Sequence, residues 1–162
     1  LAKNCMIKIL FICHGNICRS PMAEFVMKDM VQKAGLADRF YIASAATSNE
    51  EIWGSRGNPV YPPARAKLEE HGLRCDGKRA VRLVKADYDR YDFLIGMDDR
   101  NIFNMKRMLG GDPEGKISML LDYTDHPRSV SDPWYTDDFD STWIDVNDGC
   151  RGLLGYIIRN HM

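Results

Sequence analysis

The 162-residue chain reads as an α/β protein with one domain. Its four-stranded parallel sheet, in strand order 2-1-3-4, is doubly wound with helices on both faces. Three observations carry this reading. Strand-type and helix-type stretches alternate along the chain, the pattern that builds βαβ units. The apolar run Met6-Ile7-Lys8-Ile9-Leu10-Phe11-Ile12 is followed at once by a short loop and a helix-compatible stretch, which places residue 13 at the carboxyl end of a strand, where such sheets bind ligands. No internal repeat, low-complexity stretch or linker divides the sequence, and its length suits one domain.

The elements follow in order. The first strand is 6–12, and the helix after it covers about 20–34, with Met22, Phe25, Val26, Met30 and Val31 on one stripe and Gly35 ending it. The second strand is 40–45. Residues 48–63 are polar and carry Gly and Pro, so they read as a loop, followed by a helix over 63–71 that stops at Gly72. Residues 82–88 suit a short helix before the third strand, 92–97. Asp98 can cap a helix over 99–109, which Gly110-Gly111 closes. The fourth strand is about 116–119, and an irregular loop covers 122–136. The last helix, 138–160, places Trp143, Val146, Cys150, Leu153 and Ile157 at spacings of three and four, and Gly149, Gly152 and Gly155 mark close packing on the sheet. Residues 6–162 form the domain, with residues 1–5 an N-terminal extension, since Met6 opens the first strand directly.

The loop after the first strand reads Cys13-His14-Gly15-Asn16-Ile17-Cys18-Arg19-Ser20. A Cys followed six residues later by Arg and then by Ser closes a loop whose N–H groups turn inward, an anion cradle at a helix N-terminus. At this chain's Cys, Arg, Ser and Thr content that spacing arises by chance only about 0.03 times. The loop lacks the Gly-Lys-Ser/Thr ending of a nucleotide-binding loop, and Cys13 with Cys18 is not a two-residue-spaced zinc or thioredoxin pair. No cofactor and no metal site is expected.

Each residue has a chemical reason. Cys13 is the candidate nucleophile, because the helix dipole, inward N–H donors and the Arg19 charge favour a thiolate. Arg19 offers a planar fork to two phosphoryl oxygens and can follow them as charge shifts. Gly15 lets the backbone approach the anion, and Asn16 tolerates the left-handed region and can hold the loop with its amide. Ser20 can donate to the Cys13 sulfur when a thiophosphate breaks down. His14, Ile17 and Cys18 complete the phosphate-binding set. Cys18 shares the curved loop with Cys13, so it can trap an oxidised Cys13 as a disulfide.

Cys13 to Pro21, near the start of a chain of this length, resembles the signature of the low-molecular-weight protein tyrosine phosphatases. Asp132-Pro133-Trp134-Tyr135 resembles that family's later Asp-Pro-aromatic motif, and Gly96-Met97-Asp98-Asp99 and Glu70-His71-Gly72-Leu73 resemble its landmarks. The resemblance implies hydrolysis of protein phosphotyrosine, with Asp132 as general acid and then base, an assignment that fits the need to protonate a departing phenolate. It also implies a substrate groove walled by Trp53, Trp134 and Tyr135. Many members carry a His after the stretch matching His71-Gly72, where it supports the loop Asn; Asp76-Gly77-Lys78-Arg79 offers none.

Three competing readings share the loop. Thioredoxin-coupled arsenate reductases need two further cysteines about seven residues apart, and Cys75 and Cys150 are isolated. Protein-arginine phosphatases carry Thr in place of Ile17. A silent phosphate-binding module would have lost Cys13, Arg19 or Asp132. The remaining properties fit a monomeric cytoplasmic enzyme whose partner is a phosphotyrosine protein. A formal net charge of −1 argues against nucleic acid, with Lys78, Arg79, Arg82 and Lys85 a solvated face. Apolar runs are too short for membrane insertion, and five cysteines without a spaced framework suit a reducing compartment.

Overall fold

The computed structural model describes residues 6–162; residues 1–5, expected as an extension, lie outside the described residues. Strand β1, Ile7–Cys13, buries every residue but Lys8. That near-continuous apolar run is what a central parallel strand needs, because both of its faces are covered. It pairs in parallel with β2, Phe40–Ala46, on one side. A short antiparallel hairpin follows, β3 (Ile52–Trp53) with β4 (Arg56–Gly57). On its other side β1 pairs in parallel with β5, Phe93–Gly96, and β5 in turn with β6, Ile117–Met119. The sheet order β2-β1-β5-β6 is 2-1-3-4 when only its own strands are counted.

The helices are α1 (Arg19–Lys33), α2 (Pro62–Glu70), α3 (Asp87–Arg90), α4 (Asp99–Leu109), α5 (Pro133–Thr136) and α6 (Phe139–His161). The alternation of β1 sorts the core. Ile7, Ile9, Phe11 and Cys13 face one cluster with Met22 and Met27 of α1, Leu68 of α2 and Leu153 and Ile157 of α6. Leu10 and Ile12 face the other, with Tyr88 of α3 and Met105 and Leu109 of α4. Fully burying one such side chain is worth about 1.5–3 kcal/mol. Among the described residues no helix is long and apolar enough to cross a membrane.

Three local expectations are corrected. Residues 48–63 are not all loop, since Gly54 at φ 65° turns the β3–β4 hairpin. A Cβ on Gly57 would lie 1.8 Å from the Ala80 carbonyl oxygen, so only glycine lets the hairpin lie on that backbone. The helix expected over 82–88 begins only at Asp87. Before it the chain is extended, because the Val81 carbonyl and the Leu83 N–H are both taken by Ala46 at the end of β2. Gly149 and Gly152 do pack closely, but against the 3-10 turn Leu120–Tyr123 rather than the sheet, and a Cβ on Gly155 would meet only Arg159.

Candidate active site

The loop leaves the carboxyl end of β1 and is held on both sides by backbone. Thr47 and Ser48, just past β2, donate their N–H groups to the carbonyls of Cys13 (3.0 Å) and His14 (3.1 Å), and Tyr61 donates to Ile17 (2.8 Å). The left-handed position is Asn16, at φ 58°, and not Gly15. At Gly15 a Cβ would lie 3.2 Å from Cγ of Glu51, a tight contact with a side chain. The chain curls so that the Asn16 N–H points at Cys13 Sγ (3.3 Å), and Ser20 Oγ stands 3.0 Å from the same sulfur.

Arg19 opens α1 and is almost fully buried. Its Nη1 lies 2.9 Å from Asp98 Oδ2 and its Nη2 lies 3.2 Å from Asp132 Oδ2, while Nη1 also donates to the Val130 carbonyl at 3.3 Å. Burial works against the guanidinium charge, but Cys13, Asp132 and Asp98 more than offset it and raise its pKa above the ordinary value. Each carboxylate does double duty. The other oxygen of Asp98 accepts from Asn101 N at 2.7 Å and caps α4; that of Asp132 accepts from Trp134 N at 3.0 Å and caps α5. Two helix caps therefore orient one guanidinium.

Asp132 lies in the segment expected as an irregular loop, and side chains of α6 and the backbone of Met97 tie that segment down. Asp145 of α6 accepts from Ser131 N (3.0 Å) and from Arg128 (2.7 Å), Thr142 donates to the Ser131 carbonyl (2.8 Å), and Val130 N donates to Met97 (2.8 Å). The sequence places Asp145 seventeen residues beyond Arg128, and nothing in either stretch alone signals their meeting.

Cys13, Ile17, Arg19 and Asp132 line a cavity of about 640 Å³ together with His14, Gly15 and Cys18. Asn16 and Ser20 sit behind this wall, buried, with Ser20 Oγ at the sulfur and the Asn16 amide on Ser20. Trp134 and Tyr135 form part of the mouth with Tyr61 and Phe139; Tyr61 stacks at a tilt on Trp134, with centroids 5.8 Å apart. Trp53 is not part of this wall. It stands on the β3–β4 hairpin, 73 % exposed, and the stretch just before it supplies Glu50 and Glu51 to the cavity instead. His14 pairs with Glu50 through Nε2, 2.6 Å, at the rim. Burial, with a smaller push from Cys13, holds the Cys18 thiol well above the usual thiol range.

From the sequence Asp98 reads as a helix cap within a family landmark; its contact with Arg19 arises because β1 and β5 are neighbours, so their carboxyl ends converge. Lys78 corrects the expectation of a solvated basic face. Its side chain is only 12 % exposed and turns inward to Glu24, 6 % exposed. Asn16 therefore has support without a histidine: its amide nitrogen donates to Ser20 Oγ (2.8 Å) and Ser44 Oγ (2.9 Å), and its oxygen accepts from Val81 N (3.1 Å).

This arrangement can be set beside known proteins. The family profile described as low molecular weight phosphotyrosine protein phosphatase matches residues 8–161. The chain is 36% identical over 154 residues to the low molecular weight protein-tyrosine-phosphatase YfkJ of Bacillus subtilis, covering 94% of this chain and 96% of that one. The crystal structure of YfkJ superposes with a TM-score of 0.92 at 34% identity, over 99% of this chain and 100% of that chain. The low molecular weight protein tyrosine phosphatase SP-PTP from Streptococcus pyogenes gives 0.81 at 36% identity, over 97% and 95%. A match of this extent, running through the loop, the Arg19 carboxylates and α6 alike, makes the chain a member of the low molecular weight phosphotyrosine protein phosphatase family.

Proposed function

We propose that the protein hydrolyses protein phosphotyrosine in two steps through a cysteinyl phosphate. Cys13 thiolate attacks phosphorus while the loop N–H groups and the Arg19 fork take up the charge of the phosphoryl oxygens. As the P–O bond to the tyrosine ring breaks, Asp132 gives its proton to the departing phenolate. Asp132, now a carboxylate, takes a proton from the water whose oxygen bonds to phosphorus. The P–S bond breaks with its electron pair on Cys13, and phosphate leaves.

The observation that carries this reading is the meeting of Cys13, Arg19 and Asp132 in one cavity, with the guanidinium bound to the acid at 3.2 Å. The branched apolar Ile17 and the aromatic mouth of Tyr61, Trp134 and Tyr135 suit an aromatic ester. A thiol relay has less support: Cys75 and Cys150 are both buried and neither lines the cavity. The four cysteines of the described residues are all unpaired, which suits an enzyme acting in the reducing cytoplasm. The test is Cys13→Ser, which should abolish release of phosphate from a phosphotyrosine peptide while retaining vanadate binding. Turnover surviving in Cys13→Ser would refute the covalent route.

A further inference from the structure

A chain of hydrogen bonds leads from a buried ion pair to the nucleophile, and its polarity can be assigned link by link. Val81 N can only donate, so the Asn16 side-chain oxygen must face it (3.1 Å) and the amide nitrogen must face the two serines. Both amide protons are then spent, one on Ser20 Oγ (2.8 Å) and one on Ser44 Oγ (2.9 Å). Ser44 directs its own proton to Glu24 Oε1 at 2.6 Å, since an ionised carboxylate only accepts. Ser20, already accepting from Asn16, has one proton left, and Cys13 Sγ lies 3.0 Å away.

Glu24 anchors the far end of the chain: it takes the Ser44 proton, which leaves the Ser44 oxygen to accept from the Asn16 amide. Two cations hold Glu24 in place. Lys28, four residues on along α1, reaches Glu24 Oε2 at 2.6 Å from a partly exposed position, while the buried Lys78 stands 3.6 Å from Oε1. Lys78 also donates to the Ser44 carbonyl at 3.1 Å, so it holds both members of the link. Burial lowers the Lys78 pKa, with Lys28 acting in the same sense; Glu24 and, more weakly, Cys13 oppose the shift. Such a cation is costly to bury and has no part in the covalent chemistry.

We propose that Lys78, acting through Glu24 and Ser44, is a positioning residue that holds the Asn16 amide in place, so that Ser20 donates to the Cys13 sulfur as it leaves phosphorus. The proposal rests on the phosphatase reading, and it assigns Lys78 to one step only. In breakdown of the cysteinyl phosphate the sulfur departs with the electron pair of the P–S bond, and the Ser20 proton stabilises that charge. In formation of the intermediate the sulfur loses charge, so the same bond gives no help.

The experiment is rapid-quench kinetics with p-nitrophenyl phosphate on wild type, Lys78→Met, Lys78→Arg, Ser20→Ala and the Lys78→Met/Ser20→Ala double variant. A weakened charge-assisted hydrogen bond should slow breakdown about ten-fold in Lys78→Met, leave the burst phase within about two-fold, and be largely restored in Lys78→Arg. The double variant should be no slower than Ser20→Ala alone, since both act through one bond. Equal slowing of burst and steady state, or additive losses, would overturn the proposal. Exchange of the Asn16 side-chain amide protons, followed by NMR, reads the chain without turnover. It should quicken in Lys78→Met and not in Lys78→Arg; an unchanged rate contradicts the relay. A wild type that releases no nitrophenol would instead refute the phosphatase reading, leaving amide exchange to judge Lys78.

Discussion

Arg19 Nη2 and Asp132 Oδ2 stand 3.2 Å apart, so the phosphate-binding guanidinium is shared with the carboxylate assigned to acid–base work. An oxyanion seated on the loop competes with that carboxylate for the same fork. Asp132→Ala should therefore tighten vanadate binding, by about ten-fold from the Coulomb scale of a partly screened pair, even as it slows catalysis. Titration of the variant by protein fluorescence checks this; weaker binding in Asp132→Ala would mean that the carboxylate does not compete with the anion.

The same variant tests the proton transfer. A phenolate of tyrosine needs protonation to leave, whereas p-nitrophenolate leaves readily without it. In Asp132→Ala, kcat/KM for a phosphotyrosine peptide should fall by roughly 10²–10⁴ and that for p-nitrophenyl phosphate by much less. Equal losses on both substrates would remove Asp132 from the acid role.

Substrate choice should follow Ile17 and the aromatic mouth. A panel of phosphopeptides should show kcat/KM for phosphotyrosine well above that for phosphoserine, phosphothreonine and phosphoarginine. Comparable values for phosphoserine would mean that the cavity does not select by depth and apolar contact.

Cys18 bears on oxidation. Both it and Cys13 line the cavity, and after peroxide makes a sulfenic acid on Cys13, Cys18 can close a disulfide with loss of water. Attack needs the Cys18 thiolate, and burial holds that thiol protonated well above neutral pH. Raising the pH raises the thiolate fraction, so trapping should be slow near pH 7 and quicken about ten-fold per pH unit. Mass analysis after a peroxide pulse follows it. A disulfide that forms equally fast at pH 6 and pH 9, or equal recovery of Cys18→Ser and wild type by thiol, would sink the trap.

Much of this was legible in sequence. Strand β1 and the loop after it are local features, set by an apolar run and a spacing of seven residues. The Asp132 motif resembles a family landmark, and its capping of α5 is a local Asp-Pro signal. What was hidden depends on tertiary meetings. Arg19 meets Asp98 only because β1 and β5 pair, Lys78 meets Glu24 only because its segment packs on Ser44 of β2 beside α1, and Trp53 falls outside the cavity because the 48–63 stretch forms a hairpin around Gly54. Gly152 likewise looked like a packing glycine, but its partner could not be read: a Cβ there would lie 2.1 Å from the Tyr123 carbonyl oxygen.

That contact is backbone and cannot turn aside. Gly152→Ala should therefore destabilise the fold by about 1–3 kcal/mol despite the better helix propensity of alanine, lowering the melting temperature by roughly 2–12 °C. Thermal unfolding by circular dichroism measures it. An unchanged or higher melting temperature would mean that α6 stands further from the Leu120–Tyr123 turn.

The most direct measurement is capture of the covalent intermediate. Wild type is mixed with a ³²P-labelled phosphotyrosine peptide, quenched in acid within milliseconds, digested and mapped by mass spectrometry. The account predicts one labelled peptide, carrying phosphate on the sulfur of Cys13, and no label in Cys13→Ser. Label on any other residue, or steady release of phosphate from Cys13→Ser, would contradict it.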